Sequence, residues 1–197
     1  MVDLFNYTRR TSSVAHIGAI DLGGDNPIRI QSMTTTNTND TEACVKQAEE
    51  IIKAGGELVR FTTQGSREAE NMKNINAGIR ADGYQTPLVA DVHFNPNVAD
   101  VAALYCEKVR INPGNYVDPA RKFIKQEYTD EEYAHELQKI EDRFVPFLNI
   151  CKENHTAIRI GVNHGSLSDR IRNRYGDTPE GIVESCLELA DTYGIAD

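Results

Sequence analysis

The sequence has no apolar run approaching the roughly 18–20 residues of a membrane span. Nothing apolar follows Arg9 and Arg10 that would read as a secretory leader, so the cytoplasm is the expected compartment. It is also short of positive charge: 21 Lys and Arg stand against 30 Asp and Glu, a net charge of −9 at pH 7. With no basic stripe to hold a phosphate backbone, general nucleic-acid binding is disfavoured. Cysteine is sparse and scattered. Cys44, Cys106, Cys151 and Cys186 form no C-x-x-C pair and no zinc-finger spacing. Cys44, Cys151 and Cys186 fall on the apolar stripes of predicted helices, where a reduced thiol packs as a small hydrophobe. No metal ligand is assigned to this chain. Low-complexity tracts and sequence repeats are missing too, so 197 residues, 40% of them hydrophobic, can bury a real core.

What is present is a regular alternation of strand and helix signals. Residues 13–24 read as a β-hairpin turning at Gly18, with Gly23 and Gly24 after it. Five strands are expected at 27–33, 57–63, 87–92, 108–112 and 157–162. Helices separate them: one from Asn39, boxed with Glu42 and stopped by Gly55; one from Ser66; one after Pro96; and a long one capped by Thr129 and Glu132, with Pro146 expected to kink it. A last helix opens at Thr178-Pro179. Alternation at this spacing implies a parallel sheet. No glycine-rich phosphate fingerprint follows the first strand, which disfavours a doubly wound sheet. The expected fold is α/β: an N-terminal hairpin extension within residues 1–26, then about five βα units of a TIM-type (β/α)8 barrel. A closed barrel needs about 250 residues. The chain is therefore expected to be the front part of a single barrel domain, interrupted before its sixth strand.

The strands carry charge where a buried strand should not. Arg159, Gly161 and Asn163 alternate with Ile158, Ile160 and Val162, so the polar set shares one face. Arg60 lies near the end of the second strand, Asp91 and His93 end the third, and Arg110 and Asn112 end the fourth. Polar side chains at the C-terminal ends of several parallel strands are how an α/β barrel assembles a site. Arg60, Arg110 and Arg159 come from three strands and can surround one small anion through planar guanidinium forks; the bland reading pairs each with a neighbouring carboxylate. Asn112 and Asn163 offer amide donors, against plain loop capping. Asp91 and His93 read either as a ligand-facing pair or as a satisfied structural pair. His164 is left open between the ligand and the turn, and His16, His135 and His155 are expected at the surface.

Five motifs in order, Ile30-Gln31-Ser32-Met33-Thr34, Leu58-Val59-Arg60, Ala90-Asp91-Val92-His93-Phe94, Val109-Arg110-Ile111-Asn112-Pro113-Gly114-Asn115 and Arg159-Ile160-Gly161-Val162-Asn163-His164-Gly165-Ser166-Leu167, cover nearly the whole chain. Together they closely resemble the 4-hydroxy-3-methylbut-2-enyl diphosphate synthase (GcpE) family. The resemblance implies an iron–sulfur oxidoreductase of the non-mevalonate isoprenoid route. Its reaction reductively opens 2-C-methyl-D-erythritol 2,4-cyclodiphosphate, with electrons delivered by ferredoxin or flavodoxin through a [4Fe-4S] cluster. The cluster is held by three cysteines and a glutamate of a separate C-terminal domain, and no cysteine here matches that ligand motif. The resemblance implies that the barrel holds the diphosphate, and the strand-end residues Arg60, Asp91, His93, Arg110, Asn112, Arg159 and Asn163 are the expected substrate-binding set. The long connection from Tyr116 to about Asp130 resembles the family's longer, three-domain variant.

Two other readings stand beside it: a pterin-binding barrel transferase of the dihydropteroate synthase type, and a non-catalytic anion-binding domain. Five strands without the rest of a barrel would also leave open edges. Self-association of copies, or strands supplied by further sequence, is the expected consequence.

Overall fold

The structure is a computed structural model describing residues 10–118 and 127–192. A small antiparallel hairpin, β1 (Ala15–Ile17) and β2 (Ile20–Leu22), turns through Gly18, whose φ of 54° favours a residue without a Cβ. Five strands then form one parallel sheet: β3 (Gln31–Met33), β4 (Leu58–Thr63), β5 (Leu88–Val92), β6 (Lys108–Ile111) and β7 (Ala157–Ile160). Among the described residues six helices intervene or follow: α1 (Thr41–Lys53), α2 (Ser66–Ala81), α3 (Pro96–Ala103), α4 (Asp130–Glu153), α5 (Asp169–Tyr175) and α6 (Pro179–Asp191).

Spatial strand order equals chain order, so the sheet lacks the reversal that defines a doubly wound fold. A constant right-handed crossover then sends the helices to one face. On that face Val59, Phe61, Ala90, Val109 and Ile111 pack with Met72, Ile75, Ile79 and Phe144 in one continuous core. The alternate residues face the other way, and they carry the charge. No helix among the described residues is long and apolar enough to cross a membrane.

Local chemistry sets most boundaries. The Thr129 hydroxyl accepts from Glu132 N–H, and the Glu132 carboxylate accepts from Thr129 N–H, closing the expected capping box. Helix α4 runs on through Pro146 without a break in its assignment. At α1 the cap is Asp40, which accepts from Ala43 N–H at 3.0 Å, one residue later than expected. Asn39 donates instead to Asn37 and Glu68. Strand β3 is shorter than its motif suggests. Ladder pairing begins at Gln31, because Pro27 lacks an N–H and Arg29 is drawn to the Asp21 carbonyl and to Glu57.

The N-terminal end of the sheet is closed. Ile17 of the hairpin is 1% exposed and packs on Leu58 and Val89, with Ile20 and Ala157 beside them. Two glutamates stand just before strands there. Glu57 accepts from Ile30 N–H and pairs with Arg29 at 2.8 Å. Glu107 accepts from Leu88 N–H and pairs with Arg80 at 2.7 Å. Each carboxylate is matched by one guanidinium and one backbone amide.

At the far side, β7 pairs only with β6 among the described residues. The expected burial of this strand is therefore not met, and Arg159 is exposed. An apolar groove of about 540 Å³ runs beside this edge, lined in part by Ala15, Phe144, Leu148, Ile158, Ile160 and Leu189.

Candidate functional site

Register gathers the charged residues. Asp91, Arg110 and Arg159 are direct partners across β5, β6 and β7, so their side chains share a face. Arg60, two positions before Thr62, which pairs with Asp91, lies on the same face. Asp91 is the hub. It is 1% exposed, and one carboxylate oxygen accepts from Arg60 and from His93 Nε2, the latter at 2.9 Å. The other oxygen accepts from Arg110 at 3.2 Å. Burial alone would raise this carboxyl's pKa; the bonds from His93 and Arg60 outweigh it and hold the group below its ordinary 3.8.

Arg110 also donates to the Gly161 carbonyl at 2.6 Å, bridging β6 to β7. A Cβ at Gly161 would overlap Arg110 Nε, so this glycine is what lets the guanidinium lie across the neighbouring strand. Arg60 Nε is a buried donor with no partner. Arg159 makes no hydrogen bond or ion pair among the described residues and projects its charge into the mouth of the sheet. The arginines therefore divide: Arg60 and Arg110 do pair with a neighbouring carboxylate, but it is the same carboxylate, and Arg159 has none.

The loops after β6 and β7 interlock. Asn112 Oδ1 accepts from Gly114 N–H at 3.3 Å, while its Nδ2 donates to Ser166 Oγ at 2.7 Å. Asn163 Oδ1 accepts from Gly165 N–H at 3.0 Å. Each asparagine thus caps a single 3-10 turn, Pro113–Asn115 or His164–Ser166. Gly114 sits so close to the Ser166 carbonyl that a Cβ there would overlap it. The capping reading holds for both side-chain carbonyls, and the Asn112 amide is also engaged. The Asn163 amide nitrogen has no partner among the described residues. His164 pairs with Asp177 at 2.9 Å, a contact between two loops rather than with the charged row. His16, His135 and His155 are exposed as expected.

Lys108 was not singled out by the sequence. It is 7% exposed and lies two residues before Arg110, hence on the same face. The signal is parity: Lys108-Val109-Arg110 places both cations on one side, although Lys108 opens the strand rather than ending it. A second unforeseen cluster lies outside the sheet. Arg170 of α5, 2% exposed, donates to Glu188 of α6 at 2.6 and 2.8 Å and to Asp118 at 3.2 Å. Tyr133 of α4 also donates to Glu188, and Arg170 stacks on its ring 4.7 Å from the centroid. Beyond Asp118, residues 119–126 of the long connection lie outside the described residues.

Among the described residues no three His, Cys, Asp or Glu side chains are grouped to hold a metal. Cys44, Cys106 and Cys151 are buried singly. Burial pushes the Cys106 thiol upward and the Cys151 thiol up to about 12, so neither offers a thiolate near neutral pH. These residues do not fit an iron–sulfur cluster. The apolar groove beside β7 gathers few convergent polar groups and suits packing rather than ligand recognition.

Comparison with known proteins agrees with the motifs. The chain is 77% identical over 188 residues to 4-hydroxy-3-methylbut-2-en-1-yl diphosphate synthase (flavodoxin) of Phocaeicola vulgatus, covering 95% of this chain and 31% of that protein. The protein of the same name from Akkermansia muciniphila is 53% identical over 186 residues, covering 94% and 32% respectively. The chain thus spans about a third of the length of these curated relatives. Among solved structures, a dihydropteroate synthase of Xanthomonas albilineans overlaps 92% of the chain and 90% of its own. Its TM-score of 0.43 and 14% identity decide nothing. The family model described as the GcpE TIM-barrel domain matches residues 11–196, and the chain belongs to that family.

Proposed function

We propose that this chain is the substrate-binding front of a 4-hydroxy-3-methylbut-2-enyl diphosphate synthase, working on 2-C-methyl-D-erythritol 2,4-cyclodiphosphate. The observation that carries the reading is a charge imbalance. Arg60, Arg110 and Arg159, with His93, face one mouth, and a single buried carboxylate, Asp91, serves all that are paired. Cations left with unfilled donors beside a neutral or positive neighbourhood are stabilised by an arriving anion, and guanidinium matches phosphate oxygens in pairs.

Within that reading the side chains have distinct tasks. Asp91 does not meet the ligand; it aims Arg60, His93 and Arg110. Arg60 Nε, Arg159 and the outward nitrogen of His93 supply donors to the diphosphate, and the Asn163 amide reaches a hydroxyl or phosphate oxygen. Asn112 holds the loop wall through Ser166. The [4Fe-4S] cluster implied by the family would supply electrons when bound, and it would be held by residues other than the described ones. Flavodoxin, named in the relatives, is the electron donor we favour, and the cytoplasm the compartment. The sheet is the first five strands of an eight-stranded barrel, with the hairpin as its N-terminal plug. The apolar groove beside β7 seats the element that follows.

The test uses the full-length protein with iron and sulfide reconstituted and flavodoxin supplied. Reductive opening of the cyclodiphosphate is expected, together with tighter calorimetric binding of that ligand than of a pterin diphosphate. Binding of the pterin compound alone, or retention of cyclodiphosphate affinity in all three single alanine variants of Arg60, Arg110 and Arg159, would overturn the proposal.

A further inference from the structure

Lys108 is a buried cation with no protein partner among the described residues. It opens β6, pairs in register with Val89 and Ala157, and points to the face that carries Arg110 and Arg159. Two residues before Arg110, it stands about 6.6 Å deeper along the strand. It is 7% exposed, yet no hydrogen bond or ion pair reaches its ammonium from the described residues. The carboxylate of this face, Asp91, is occupied by Arg60, His93 and Arg110. Glu107, its chain neighbour, is engaged with Arg80 and Leu88 N–H at the base. The charges that act on Lys108 are the like charges of Arg159 and Arg60. Burial, with that repulsion added, draws its pKa below the ordinary 10.5.

A largely buried lysine without a protein partner and with two cationic neighbours costs stability, because its hydration is reduced with no ion pair in return. A leucine would have filled the same space without a charge. The feature makes physical sense if an anion completes it. We propose that Lys108 contacts the substrate directly, donating from the floor of the site to the deepest oxygen of the diphosphate. This rests on the function proposed above and adds a residue to it. Its flexible four-carbon stem covers the depth between strand start and arginine row. With Arg60, Lys108, Arg110 and Arg159 against Asp91 alone, three positive charges remain uncompensated by the described residues. One phosphate at the rim satisfies the arginines but leaves the floor unmet, so Lys108 selects a ligand with two linked phosphoryl groups over one with a single group.

The experiment compares K108M, K108R and R110A in the reconstituted full-length enzyme. Methionine keeps the stem's length and removes the charge. For K108M, the dissociation constant of the cyclodiphosphate is expected to rise about 10- to 100-fold, the range of a lost charge-assisted bond. The loss should appear in KM more than in kcat, and be smaller for inorganic monophosphate than for diphosphate. K108R should recover part of it. The unliganded K108M protein should melt no lower than the parent, since a buried unpaired charge is gone. If R110A weakens binding and K108M does not, the role of Lys108 is refuted while the function above stands. If neither does, the role of Lys108 is refuted, and the alanine variants of Arg60 and Arg159 decide whether the function above falls with it. A lowered melting temperature of unliganded K108M with unchanged affinity would mean that a carboxylate elsewhere in the protein pairs with Lys108, and would also refute it.

Discussion

Two arginine clusters in this molecule are both buried and both ionic, and they are built on opposite arithmetic. Around Arg170, one guanidinium meets two carboxylates and a tyrosine ring, and its own pKa is raised because Glu188 and Asp118 outweigh the effect of burial. Around Asp91, one carboxylate meets two guanidiniums and an imidazole, with Arg159 and Lys108 nearby and unmatched. The first cluster is closed: its donors and acceptors answer one another across α4, α5, α6 and the loop after β6. The second is open on one side. Buried charge by itself therefore says little about function; the sign and number of partners left over says more.

The contrast can be broken at its strongest point first. Arg170→Met in the full-length protein strands two buried carboxylates, and should cost about 3–5 kcal/mol of stability by denaturant titration. The fraction that stays folded should bind the cyclodiphosphate as before. A comparable loss of stability from Arg110→Ala would erase the distinction. Arg110→Ala is expected instead to weaken ligand binding by about 1.5–3 kcal/mol in calorimetry, with a small change in melting temperature.

Gly161→Ala sharpens the comparison further, because its Cβ would overlap Arg110 Nε. It should weaken binding alone but add little in an Arg110→Ala background, giving a coupling of about 1–2 kcal/mol in a double-mutant cycle. Additive effects would show that the glycine serves some other purpose. The smallest effect is with pH. The Asp91 carboxyl is held below 3.8 in the folded state, so it binds its proton more weakly there than in the unfolded chain. Its contribution to stability is fully present above pH 3.8 and disappears as pH falls through the lower folded-state value. Asp91→Asn should flatten that part of the acid unfolding curve, and an unchanged acid limb would contradict the hub assignment.

Most of the fold was legible because strand parity and helix periodicity are local. Ile158 and Ile160 against Arg159 and Gly161 report two faces without any partner being known. Arg60, Arg110 and Arg159 were visible as a row for the same reason. Asp91 as a hub was not, because three strands must converge before one carboxylate can be seen to serve three cations. Asn112 and Asn163 read equally well as donors or caps until the two loops are seen against each other. Arg170, Asp118, Tyr133 and Glu188 lie on four separate segments, and Tyr133 reads in sequence as one more apolar position of its helix. The cap at Asp40 rather than Asn39 reflects a choice between adjacent good capping residues that only the path of the chain decides.

The glutamates at the closed end have a consequence for the open one. Glu57 ties the start of β4 to the residue before β3, and Glu107 ties the start of β6 to the start of β5. Between β6 and β7 the Thr156 hydroxyl adds a tie at the base, donating to the Cys106 carbonyl at 3.0 Å; at the top, Arg60 on Asp91 joins β4 to β5 and Arg110 on the Gly161 carbonyl joins β6 to β7. The sheet is laced at both ends, and the upper laces are the same guanidiniums that would grip an anion. A ligand that borrows them loosens the top of the sheet while its base stays sewn.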